Sequence, residues 1–455
     1  MLLLAAPFLL FPSPATTPVL LIVPSLWVIS WLAGDAPLPY TPLNVTLLLL
    51  NLMVLVSTQV SYDLAVSLPK IAGMVLGIGV FYAFVNYSQG SRGFGMCLVV
   101  LLTTGLGVAL ISLLGTEWTI KFDFLTGSTY RFAPRITGLP GAESGLNPNE
   151  VGGALLWVIP LFLALSVTVF TQQRNWHAAI QRRARPLGLL LAEATLFVIF
   201  VFLLSQSRGA FLALAITSLV LIPIALPIRW RRLFLSGLAI ICIFGGSIFT
   251  WRYGLEGAQS LVFGDRPIND PVSLVYTLDA RTRVWSWGLF GVQKFPITGM
   301  GMNTFQHVIN ALNPLDPPYP EHVLGHAHNE FLQAAIDLGI PGLVAFVALY
   351  LGAFWMLSGV WRGTRQQLPD QSHAIEDSLL NHSSSIRLLV LGLSGSLVSH
   401  GVYGFTDAVA LGAKPGIIFW MLLGVIVGLF QRRQQAIQPS VSAERGRHTQ
   451  IRNAR

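Results

Sequence analysis

The sequence is poor in charge: 11% of its 455 residues are Asp, Glu, Lys or Arg, against about a quarter in soluble domains. That deficit excludes an ordinary soluble globular protein. Together with 53% hydrophobic residues and a mean hydropathy of +0.64, it points to a polytopic membrane protein. Acidic residues are scarcer than basic ones, 20 against 28, for a net charge of +8. In so apolar a chain the basic excess marks loops flanking a membrane rather than a nucleic-acid surface. Cysteine is nearly absent. Cys97 and Cys242 both lie inside apolar runs, which excludes a disulfide framework and a thiolate metal site. Met1–Leu10 lacks the basic n-region of a signal peptide, so this run is expected to stay in the membrane. There is no repeat of 20–50 residues and no visible inverted repeat, which argues against the transporters built on such symmetry.

What is present is a tiling of apolar runs. A helix crosses a bilayer in about 20 residues, and such runs fall near 1–12, 16–33, 43–60, 70–88, 95–114, 149–171, 187–204, 209–228, 233–251, 341–360, 386–405 and 415–431. The expected fold is an all-α polytopic bundle of eleven or twelve spans, the first run being short enough for a half-helix. Short connections carrying Arg174, Arg182, Arg183 and Arg185, then Arg229, Arg231 and Arg232, place their side in the cytoplasm. Helix counting adds Arg92, the 361–385 connection and the tail from Arg432 to that side. The opposite side receives two long segments, 115–148 and 252–340. The chain thus divides into N-terminal helices with the first outer loop (1–148), a membrane core that includes outer loop 252–340 (149–431), and a basic cytoplasmic tail expected to be disordered (432–455).

The polar chemistry collects on the outer side. Arg208, in Ser207-Arg208-Gly209, stands at a helix start, where a cation opposes the helix dipole unless an anion faces it. It reads equally as an anion clamp or as an arginine reaching lipid headgroups. Asn147, Pro148 and Glu150 form a helix-start signal, which leaves Asn149 interesting for its place at the mouth of the bundle. Arg281 and Trp285 are four apart on an amphipathic stretch suited to lie on the membrane. Gly299–Asn303 reads as a turn.

The densest cluster is Glu321-His322-Val323-Leu324-Gly325-His326-Ala327-His328-Asn329-Glu330. Its histidines lack the spacing of a helical zinc motif, so no metal is expected; one imidazole held by a neighbour would instead take a proton from a hydroxyl. A Gly339-Ile340-Pro341-Gly342 break should separate a short outer helix from the next span. Asp407, in the turn after the penultimate run, reads as a cap or as the partner of a basic group.

In chain order, Asn147-Pro148-Asn149, Ser207-Arg208-Gly209, Arg281 with Trp285, and His326-Ala327-His328-Asn329…Leu332 followed by Asp337-Leu338-Gly339…Gly342 resemble the O-antigen ligase and polymerase superfamily, over roughly 140–430. Asp337 departs from the Glu more usual there. The resemblance implies a metal-free and cofactor-free glycosyltransferase of polysaccharide or lipopolysaccharide biosynthesis, multi-pass in the cytoplasmic (inner) membrane, with its site facing the periplasm or cell exterior. Its partners would be an undecaprenyl-pyrophosphate-linked glycan donor, a glycan, lipid or protein hydroxyl acceptor, and membrane lipids. His328 would be catalytic, with Arg208, Arg281, Asn149, His326, Asn329 and Asp407 binding substrate. The C-terminal region is also similar to putative bicarbonate transporters of the same superfamily, so a small-anion transporter is the alternative.

Overall fold

A computed structural model describes residues 21–34, 38–116, 118, 136, 138, 145–172, 178–263, 278–312, 325–366, 383–409 and 411–453. The first apolar run and His322 lie outside them. In chain order the helices are α1 (Ile22–Leu32), α2 (Asn44–Val60), α3 (Leu64–Tyr87), α4 (Ser91–Gly115), α5 (Pro148–Leu155), α6 (Ile159–Gln172), α7 (Ala178–Leu204), α8 (Arg208–Ala225), α9 (Ile228–Phe263), α10 (Leu278–Lys294), α11 (Phe305–Leu312), α12 (Glu330–Gln366), α13 (Ser383–Tyr403) and α14 (Ile417–Asn453). Among the described residues, 8 are long and apolar enough to cross a membrane, counting α5 and α6 as one. The shorter α2 is apolar as well. An all-α polytopic membrane bundle is therefore the architecture.

The last helix, α14, runs to Asn453.

Small residues let the helices approach closely, as lipid-embedded packing requires. α13 lies against α6 and α8, α12 against α2, and α14 against α3 and α4. At the α13–α6 contact, β-carbons at Gly392 and Gly395 would come within 2.7 Å of Ala164 and Pro160 respectively. Pro160 also breaks the α5–α6 rod: it has no N–H for the Leu156 carbonyl, which instead accepts from the Ser399 hydroxyl at 3.0 Å. The residues between, Leu156 to Val158, take i→i+3 bonds, and Trp157 turns into the bundle interior.

The expected break in α12 falls at Gly339, with φ +71°. A side chain there would collide with the Ile297 carbonyl, because the 295–304 turn is stitched to the break by Met300 N–H to Ile336 O and Ile340 N–H to Pro296 O, both 2.7 Å. That turn, with left-handed Gly299, Gly301 and Asn303, also reaches the N-terminal helices. Ser67 Oγ donates to Met302 O at 2.6 Å, and Asn303 Nδ2 to Val66 O at 2.9 Å. The α10 helix packs on the start of α12. Gly288 admits Leu332 and Ile336, and Val284, Phe305, Ile309 and Ile336 form a small buried cluster of their own.

These contacts gather the turns at 61–63, 205–209, 295–304, 325–329 and 404–409 at one end of the bundle. At the other end Arg432 donates to Ser91 Oγ (2.7 Å), Arg387 to Thr364 Oγ1 (3.1 Å) and Arg231 to Pro223 O (2.6 Å). The basic connections and the His-rich turn thus sit at opposite ends.

Candidate active site

The His-rich turn is built by the helix that follows it. Asn329 is the N-cap of α12, accepting from Leu332 N–H at 2.9 Å, while its amide nitrogen donates to Phe405 O at 3.4 Å. The Ala327 N–H donates to Gln333 Oε1 at 2.7 Å. Between these anchors His328 is held at φ +48°, a left-handed conformation that histidine adopts only at a cost. Its ring is buried and Nδ1 lies 3.0 Å from Asp407 Oδ1. An ionised carboxylate makes Nδ1 the donor and leaves Nε2 as the free lone pair of the neutral ring.

Asp407 follows α13 in a turn closed by its own N–H to Tyr403 O at 3.0 Å. It caps no helix. Its Oδ1 accepts from His328 and from Ala408 N–H (3.0 Å) and lies 4.0 Å from His326 Nδ1; its Oδ2 lies 3.8 Å from an Arg281 terminal nitrogen. Burial alone would raise the Asp407 carboxyl. The His328 hydrogen bond, with the electrostatic influence of the neighbouring imidazoles and the Arg281 cation, reverses this and holds it well below the usual carboxylate range. His326 accepts the His328 N–H on Nδ1 at 3.2 Å; burial, then His328, push its imidazole down to about 3, so it is neutral at pH 7. His326, His328 and Asp407 present donor atoms within 4.8 Å of one another, a set that suits a transition metal. Arg281 puts a protein cation on the same carboxylate.

The other expected residues converge in part. Arg208 opens α8 as an exposed side chain, with Ser207 as N-cap accepting from Ala210 N–H at 3.5 Å. Gly209 abuts Thr406, the neighbour of Asp407, so the Arg208 turn borders the Asp407 turn. Asn149, buried in the first turn of α5, offers its carbonyl to Tyr403 Oη at 2.6 Å. Asn147 caps that helix as expected, accepting from Asn149 N–H at 2.8 Å. Asn329 is placed as a clamp, with both ends of its amide on protein atoms.

Sequence reasoning missed three groups. Lys70, inside α3, acts electrostatically on Glu150, His326 and Asp337. Glu330, read only as part of a loop cluster, enters the bundle and meets His400 Nδ1 of α13 at 3.3 Å. The available signal was an ionisable residue within an apolar run, which in a membrane is a functional hypothesis by default. His400 and Lys70 carry it; Glu330 does not.

A multi-pass helix bundle with a His–Asp pair and a shared arginine at one end defines a membrane protein with a built polar site at its surface. Residues 194–347 match the family model described as O-Antigen ligase. Over this stretch, about a third of the chain, the protein is similar to that family. The matched stretch contains Arg208, Arg281, His326, His328 and Asn329; Asn149 and Asp407 lie outside it. No curated protein matches the chain.

Proposed function

We propose that the chain transfers a glycan from an undecaprenyl-pyrophosphate carrier to a hydroxyl acceptor, by ligation or polymerisation, at the outer face of the cytoplasmic membrane. The observation that carries this reading is one carboxylate, Asp407, shared between His328 and Arg281. The acceptor oxygen attacks the anomeric carbon, the bond from that carbon to the phosphate oxygen breaks, and the pyrophosphate leaves with the electron pair. Its growing charge is met by Arg208 and Arg281, since guanidinium forks suit phosphate oxygens and fixed charges cost no reorganisation. His328 Nε2 takes the acceptor proton, a contribution of about 10²–10⁴-fold, and Asp407 steadies the imidazolium that forms. His326, beside Asp407, and Asn149, joined to the end of α13 through Tyr403, contact the donor. Arginine fields replace a metal ion in this scheme, and no cofactor takes part. The outer-face placement rests on the arginines at the opposite end, and direct displacement inverts the anomeric centre.

The test is transfer of carrier-linked glycan in membranes containing wild type, His328→Ala or Arg208→Ala at matched expression. Wild type transfers; both variants accumulate carrier-linked donor. Wild-type-like transfer by His328→Ala overturns the reading. A small-anion transporter is the second reading, favoured by the ionisable Glu330 and His400 inside the bundle. It replaces the first if the same wild-type membranes transfer no glycan and take up bicarbonate.

A further inference from the structure

We propose that Glu330 and His400 form a buried positioning pair that fixes His328 against Asp407; this deepens the transferase reading above and rests on it. His328 and Asp407 belong to two segments, the entry to α12 and the exit from α13, and these segments are joined stepwise from the surface inward. His328 Nδ1 meets Asp407 Oδ1 at 3.0 Å, Asn329 Nδ2 reaches Phe405 O at 3.4 Å, Glu330 N–H donates to Gly404 O at 2.7 Å, and the Glu330 carboxylate meets His400 Nδ1 at 3.3 Å. The last step is the deepest. His400 is 0% exposed and Glu330 3%. The His400 ring is fixed on both sides of the pair: Tyr350 Oη lies 3.2 Å from the same Nδ1, and Trp157, turned inward by the Pro160 break, stacks on the ring at 3.8 Å with 20° between planes. Glu330 thus meets the end of α13 twice, by a main-chain hydrogen bond and by a close side-chain contact in which Oε2 completes no hydrogen bond.

The left-handed backbone of His328 gives that grip a consequence at the site. A strained residue keeps its conformation only while its neighbours over-determine it, and the neighbours here are the Gln333 contact to Ala327 on one side and Asn329–Glu330 on the other. Gly404 matches the arrangement, since a β-carbon there would sit 3.0 Å from Glu330 Oε2. With the pair removed, α12 loses its inner hold on α13, His328 relaxes toward ordinary φ, and Nδ1 leaves Asp407. Glu330 and His400 touch no reacting atom in this account; they act through His328.

The experiment compares wild type with Glu330→Ala, Glu330→Gln, His400→Ala and His400→Gln in full-length protein in lipid nanodiscs. The ¹⁵N-histidine spectrum is recorded, with the His328 Nδ1–H signal assigned by its loss in His328→Gln. Glu330→Ala and His400→Ala should each shift or broaden that signal and lower kcat for glycan transfer about 10²-fold, the loss that a roughly 1 Å misplacement costs, with donor KM nearly unchanged. The Glu330→Ala/His400→Ala double variant should be no slower than the slower single, and Glu330→Gln, which keeps a polar group at Oε, should recover part of the loss. An unchanged His328 signal in folded variants overturns the proposal, whatever happens to thermal stability. The Gln variants serve the same purpose if the Ala variants do not fold. If wild type transfers no glycan, the functional reading fails, and the His328 signal alone decides whether the pair positions it.

Discussion

Replacing Asp407 with Asn keeps the side chain's shape and a carbonyl that can still accept from His328 Nδ1, and it removes the negative charge. In the wild type that charge stabilises the imidazolium formed as His328 takes a proton, across a 3.0 Å contact in a buried site. Hydrogen bonds to charged groups contribute about 1.5–3 kcal/mol, which corresponds to about 10–100-fold in rate. The loss should stay within the ~10²–10⁴-fold that general-base catalysis supplies altogether. Because Asp407 acts on the proton-accepting group, the loss should fall on kcat far more than on donor KM. Asp407→Ala adds a structural effect, since removing one partner of a buried ion pair costs about 3–5 kcal/mol and leaves Arg281 and His328 uncompensated. The assay is steady-state transfer from carrier-linked glycan in reconstituted membranes, with the amount of folded protein measured for each variant. A folded Asp407→Asn enzyme with kcat within about twofold of wild type would falsify the assignment of His328 as a base oriented by Asp407.

Folded His326 titrates near 3 rather than at its usual 6.5, so between these pH values the unfolded chain binds the extra proton and stability falls with acidification. Asp407 has the opposite identity but the same sign, its contribution being lost only below about pH 4. His326→Gln should therefore show a flatter decline of unfolding midpoint from pH 6.5 to 4.5, and parallel declines would refute the burial of a neutral His326. Gly339→Ala combines a left-handed residue, a cost of about 1–2 kcal/mol, with a collision at the Ile297 carbonyl. It should lower the unfolding midpoint and weaken donor binding through displaced Arg281; an unchanged midpoint speaks against the tight 295–304 turn. Stripping divalent ions with a chelator should leave transfer unchanged, and a loss restored by zinc would turn His326, His328 and Asp407 into a metal centre.

Some of the site was legible before any tertiary contact. The Asn147 cap, the start of α8 at Arg208, the break at Gly339 and the turn at Gly299–Asn303 are local events, set by side-chain acceptors and by backbone angles that glycine and proline dictate. Asp407 was half legible: its sequence reads as a cap or as a partner, and only the approach of α10 and the 325–329 turn selects the second. The seat of α10 on α12 was not legible, because it depends on Gly288 admitting Leu332 and Ile336.

The sequence by itself determined the all-α membrane bundle, the positions of most spans and the segregation of basic connections from the His-rich turn. Hydrophobic run length and loop charge act locally and are additive along the chain, so they survive without knowledge of packing. Only the tertiary structure brought Asp407 to His328 across 79 residues, turned Arg281 onto the same carboxylate and drove Glu330 inward to His400. Those pairings depend on how closely helices approach at Gly392, Gly395, Gly404 and Pro160. That approach is a property of fitted surfaces between distant segments, which no period or run length along the chain encodes.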